Sequence, residues 1–177
     1  MTERLDTSII SEKSAEEGIV ACLSLSPLYR ERHNSAFNAV TLLDVAESVA
    51  FIKVTQPKEW TKLSKQFPGE EETALASHLS SLIQKRGTLD VLRNGISFNG
   101  INLHLAYFRP AAQGNPNHQT CYEGNRFSIM RQLHFSTKTP DQSVDIAIFL
   151  NGLPIVSLEL KNHFTSQCWR GSAEEFR

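Results

Sequence analysis

The segment SVDIAIFLNGLPIVSLELKNHF, residues 143–164, constrains the fold of this chain more than any other. Two apolar arms flank Asn151-Gly152, a dipeptide that favours a tight hairpin because both residues tolerate positive φ. Val144, Ile146 and Ile148 recur with a period of two, the spacing of one face of a strand, and 155–161 reads as the returning strand. The same hairpin nevertheless carries Asp145, Glu159 and Lys161. An unpaired ionised group in such a setting is costly to desolvate, so the fold must give these three a partner or a ligand.

Residues two apart on a strand share a face, so Glu159 and Lys161 point the same way. Asp145 joins them only if it is paired with 159. A two-residue loop at Asn151-Gly152 would pair 145 with 158 and send Asp145 to the opposite face. A three-residue loop, with Gly152 left-handed and a bulge beside it, restores the match and is the expectation here. Pro154 is tolerated near an edge or bulge. Two converging carboxylates repel, and a hard divalent cation such as Mg²⁺ relieves that repulsion through oxygen ligands. Such an ion polarises a phosphate oxygen and acidifies a bound water, and a neighbouring ammonium can orient that water and offset transition-state charge. The plain alternative is a surface salt bridge between Glu159 and Lys161.

The hydrophobic period changes halfway along the chain. Ala15, Ile19, Cys22 and Leu23 recur at helical spacing between 11 and 25, with Ser14 and Glu17 as a possible capping box. A looser helical pattern runs over 36–54. Pro57 opens and Pro68-Gly69 closes a helix whose stripe is Trp60, Leu63 and Phe67. From 70 to 86, acids lead and Lys85 and Arg86 follow, which suits the helix dipole, and Gly87 is a C-terminal cap. After 90 the period is two: Ile101, Leu103 and Leu105 behind the hairpin signal Asn99-Gly100, a polar loop at RPAAQGNPNHQT, then Phe127, Ile129, Leu133 and Phe135. The expectation is an α/β (α+β) fold in one domain over 1–177. It comprises a mainly helical lobe at 11–90, a mixed sheet with the hairpin at 91–161, and the start of an incomplete helix at 162–177.

Lys and Arg number 18 against 19 Asp and Glu, a net charge of −1. Overall charge therefore gives no nucleic-acid footprint, and a basic surface must be local. Arg126 and Arg131, with His134 and Lys138, could face phosphates; a solvated strand face explains His134 and Lys138 as well. Arg131 shares parity with Ile129 and Leu133, an inward-looking set. Asn162 and His163 follow the lysine and could touch DNA. The three cysteines are scattered and odd in number, which argues against a zinc site or disulfide framework and for a reducing cytoplasm. No apolar run approaches the ~20 residues of a membrane span.

Four stretches, TQPKEW, KRGTLDVLRNGISFNGINLHLAYFRPA, YEGNRFSIMRQLHFS and VDIAIFLNGLPIVSLELKN, resemble the N-terminal region of the restriction subunit of type I restriction-modification systems. The resemblance runs from about Glu12 to the last residue. It implies a PD-(D/E)xK nuclease core using Mg²⁺ on double-stranded DNA, beside methyltransferase and specificity subunits in the cytoplasm. Asp145 and Glu159 would hold the metal with the main-chain carbonyl of Leu160, and Lys161 would be the catalytic lysine. The acidic residue on the family's first helix falls, through AEEGIV, on Glu16, which borders the stripe of Ile19, Val20 and Leu23; Glu17 is its rival. Two features depart from the family. The glutamine of its usual Gln-x-x-x-Tyr motif falls on Glu175, with the tyrosine position beyond Arg177, and there is no GxxxxGK[ST], so ATP would act only through a motor region absent here. An inactive truncated remnant, an assembly module, or a self-contained repair or junction nuclease are the alternatives.

Overall fold

The computed structural model describes residues 12–110, 116–139 and 141–161. The expected helix at 162–177, with Asn162 and Glu175, lies outside them. The chain forms α1 (Glu12–Ser24), β1 (Tyr29–Glu31), a 3-10 turn (Asn34–Ala36), α2 (Val45–Thr55), α3 (Pro57–Gln66), α4 (Glu71–Arg86) and α5 (Thr88–Asn94). Then follow β2 (Ile96–Phe98), β3 (Ile101–Leu103), α6 (Pro116–Glu123), β4 (Phe127–His134), β5 (Ser143–Leu150) and β6 (Leu153–Leu158). The fold is α+β. A four-stranded sheet has the order β1-β4-β5-β6, with β1 parallel to β4 and the other pairs antiparallel, and β2-β3 is a separate hairpin.

Three expectations about local structure change. Ser14 already lies within α1, so it does not cap that helix. The pattern over 36–54 becomes a helix only from Val45. Asn38 Oδ1 accepts the N–H groups of Val40 and Thr41 and turns the chain, and Asp44 then caps α2 by accepting from Glu47 N at 3.3 Å. The polar loop 109–120 contains the start of α6, whose Pro116 suits a first helical position.

The main core joins the helical lobe to the β2-β3 hairpin. Leu43, Phe51, Ile52, Leu63, Leu75, Leu79 and Leu103 are its centre, and Leu153 of β6 enters it. A fully buried side chain of this size contributes roughly 1.5–3 kcal/mol. The two faces of β4-β5 pack differently: Val20 of α1 covers Ile129 and Ile146, while Met130, Leu133, Val144, Ala147 and Phe149 form a cluster with Phe37.

The β5-β6 hairpin has a two-residue turn, not the expected three-residue one. Leu150 pairs with Leu153, and Asn151 and Gly152 take φ +52° and +81°. The bulge lies further on, where Ile155 is the extra residue between the pairs Phe149↔Pro154 and Ile148↔Val156. Beyond it Ile146 faces Leu158, the last pair of the ladder. The expected shift of register is present, made by a different device, and pairing stops before Asp145 and Glu159.

Burial of the turn explains the difference. Asn151 is fully buried and both ends of its side chain are hydrogen-bonded: Nδ2 donates to Leu105 O (2.8 Å) and Asn125 Oδ1 (3.0 Å), and Oδ1 accepts from Arg126 N (2.7 Å). Its carbonyl accepts from Ser48 Oγ, and Gly152 O accepts from Asp44 N at 2.9 Å. A Cβ on Gly152 would run into Asp44 O and Ser48 Oγ. The hairpin tip plugs into the start of α2 and leaves no room for a third loop residue.

Candidate active site

Three segments meet at Asp145. Glu16 and Val20, four apart on α1, are its two buried residues and face the sheet, whereas Glu17 is exposed. Of the two rival acids, Glu16 is the one that reaches the sheet. Its Oε1 accepts from Arg131 Nε at 2.5 Å and its Oε2 from Gln132 Nε2 at 2.9 Å. The hydrogen bond and negative charge of Glu16 raise the Arg131 pKa above its ordinary value. Gln132 Nε2 also donates to Asp145 Oδ1 at 3.1 Å, and Asp145 Oδ2 accepts from Leu160 N at 2.6 Å.

The returning strand ends at Leu158, so Glu159, Leu160 and Lys161 follow it rather than extending it to 161 as expected. Lys161 Nζ lies 2.8 Å from Glu159 Oε1, with the side chains 28% and 21% exposed. The Leu160 N–H bond draws the main chain of this segment against Asp145, while the side-chain partner of Lys161 is Glu159. An open cleft of about 650 Å³ lies on the α1 side of Asp145, bordered by Lys13, Glu16, His33, Asn34, Arg131 and Gln132 among others.

Arg126 is not part of this group. It stands at the other end of β4 in a bidentate pair with Glu47 of α2 (2.6 and 3.1 Å), and Arg32 pairs with Asp44 (2.6 Å) and Glu47 (3.3 Å). Arg131 borders the cleft, and Asn162 is outside the described residues. Leu133 departs from the parity expected for it, since it leaves Ile129 and Arg131 and joins the opposite cluster. The residues that sequence reasoning missed are Gln132 and Asn34. Asn34 Nδ2 donates to the Gln132 carbonyl at 3.0 Å, a contact across 98 positions with no local signal.

Among the described residues, no three His, Cys, Asp or Glu side chains are grouped closely enough to hold a metal ion. The oxygen donors the sequence proposes, the Asp145 and Glu159 carboxylates and the Leu160 carbonyl, are of the kind a hard cation such as Mg²⁺ takes, one or two carboxylates with several waters kept. No helix among the described residues is long and apolar enough to cross a membrane.

A family model described as type I restriction enzyme R protein N terminus matches residues 35–176. No curated protein and no solved structure matches the chain.

Proposed function

Because the chain belongs to the type I restriction enzyme R protein N-terminus family, we propose that it forms the Mg²⁺-dependent endonuclease unit of a cytoplasmic restriction complex. Its substrate is double-stranded DNA, cut by phosphodiester hydrolysis, with methyltransferase and specificity subunits selecting the site and ATP used by the motor of the complex. The observation that carries this reading is the bond from Leu160 N–H to Asp145 Oδ2. It joins Asp145, which borders an open cleft, to the main chain of the segment that carries Glu159 and Lys161, and so supports the reading.

Asp145, Glu159 and the Leu160 carbonyl would hold the cation, which supplies a polarised phosphate oxygen and an acidified water. Lys161, held by Glu159, would orient the attacking water and offset charge on the phosphate with its ammonium. Glu16 anchors the cleft wall through Arg131 and Gln132. Arg131, paired with Glu16 and bordering the cleft, would position a phosphate through its remaining guanidinium N–H groups without reading a base.

The test is plasmid cleavage by the complete restriction complex with Mg²⁺ and ATP. Lys161→Ala should cleave about 10²- to 10³-fold more slowly, the cost of losing one preorganised charge-stabilising group, while ATP hydrolysis continues. Cleavage at the wild-type rate would overturn the assignment.

A further inference from the structure

Gln132 sits in the middle of β4 with φ +46°. Positive φ is uncommon outside glycine, and glutamine is not among the residues enriched there, so the conformation is strained. Its consequence is visible on both sides of the sheet. In a regular strand consecutive residues point to opposite faces, yet Arg131 and Gln132 both reach Glu16, and Leu133 then turns into the other cluster. Asn34 holds this kink from outside, donating Nδ2 to the carbonyls of Gln132 (3.0 Å) and Arg131 (3.4 Å).

The kink delivers one amide group. Gln132 Nε2 gives protons to Glu16 Oε2 and Asp145 Oδ1, while its Oε1 accepts from Ser143 Oγ at 3.4 Å. A primary amide nitrogen has two protons, one for each carboxylate. It is also neutral. A lysine or arginine in its place would cancel the charge of Asp145, whereas the amide orients both carboxylates and, with Glu16 already paired to Arg131, leaves the charge of Asp145 for a cation.

We infer that Gln132 is a positioning residue of the metal site: strained into place by the Asn34-clamped kink, its amide fixes Asp145 against Glu16 so that Asp145 meets a divalent cation in one orientation. This inference rests on the nuclease reading above and adds to it a residue that touches neither substrate nor metal.

Calorimetric titration of the full chain with Mn²⁺ tests it, alongside the urea midpoint of each variant. Gln132→Gly removes the amide but accepts positive φ freely, so a purely structural role predicts unchanged metal binding. The inference predicts Mn²⁺ binding weaker by about 10-fold or more, the usual cost of losing a group that orients a ligand, with the urea midpoint held or raised. Gln132→Lys, which sets an ammonium between the carboxylates, should abolish Mn²⁺ binding in a folded chain, and it decides the matter if the glycine variant does not fold. Wild-type affinity in the deciding variant overturns the role of Gln132 and leaves the nuclease reading standing. If wild type binds no Mn²⁺, or Asp145→Ala binds it equally well, the nuclease reading falls and this inference with it.

Discussion

Asp145 accepts the main-chain N–H of Leu160 at 2.6 Å, and this bond ties the middle of β5 to a segment that has already left the sheet. Strand pairing ends at Ile146↔Leu158, so beyond that point a carboxylate does the work of a ladder hydrogen bond. A hydrogen bond to a charged group contributes about 1.5–3 kcal/mol. Asp145→Ala should therefore speed hydrogen exchange at the Leu160 amide by roughly 10- to 100-fold, with β4 amides little changed. Unchanged exchange at Leu160 would mean that Asp145 does not hold the segment.

The hairpin tip gives a second prediction. Gly152→Ala meets both a left-handed φ and a collision with Asp44 O and Ser48 Oγ, and should lower stability by about 3 kcal/mol in urea unfolding. Gly100 has a similar φ of +76° but open space around its Cβ position. Gly100→Ala should cost only about 1 kcal/mol, and equal costs at the two positions would contradict the docking of the turn.

Glu47 contributes to the acid sensitivity of the fold. Burial pushes its carboxyl up, but the hydrogen bond and charge of Arg126, with the charge of Arg32, outweigh burial and hold it below its ordinary value of 4.5. A depressed folded pKa stabilises above the unfolded value and is lost as pH falls through the folded one. Stability should therefore decline below about pH 4.5, and Glu47→Gln should flatten that part of the profile. The same variant should cost about 2 kcal/mol at neutral pH by weakening the Arg126 pair. A profile as steep as that of wild type would place the acid sensitivity elsewhere.

The Glu16–Arg131 pair joins α1 to the sheet at the edge of the cleft, with Arg131 one-third exposed. A double-mutant cycle with Glu16→Gln and Arg131→Met should return a coupling of about 1 kcal/mol, the upper end for a solvent-screened pair. A coupling of zero would leave α1 held by Val20, its apolar neighbours and the Gln132–Glu16 hydrogen bond.

The helices over 57–66 and 71–86, both hairpins and the central strands were legible because their signals are local. A period of 3.6 or 2, a Pro at a helix start, and Asn-Gly between apolar arms each act within a few residues. β1, three residues long, was not legible, because its partner β4 lies nearly a hundred positions away. Arg126 was read as a phosphate contact for want of any sequence sign that Glu47 would claim it. Arg131 was placed better, since its parity with Ile129 already set it on the α1 face.

What the sequence by itself determined is that an acid of one strand and an acid-x-Lys segment of the next could share a site only in a shifted register. Tertiary structure decided how that shift is made. The start of α2 buries Asn151 and Gly152 and admits only a two-residue turn, so the extra residue moves to Ile155. The choice of Glu16 over Glu17, and the turning of Gln132 toward both carboxylates, were decided in the same way. Each depends on hydrogen bonds between residues about a hundred positions apart, and no periodicity in the chain encodes those.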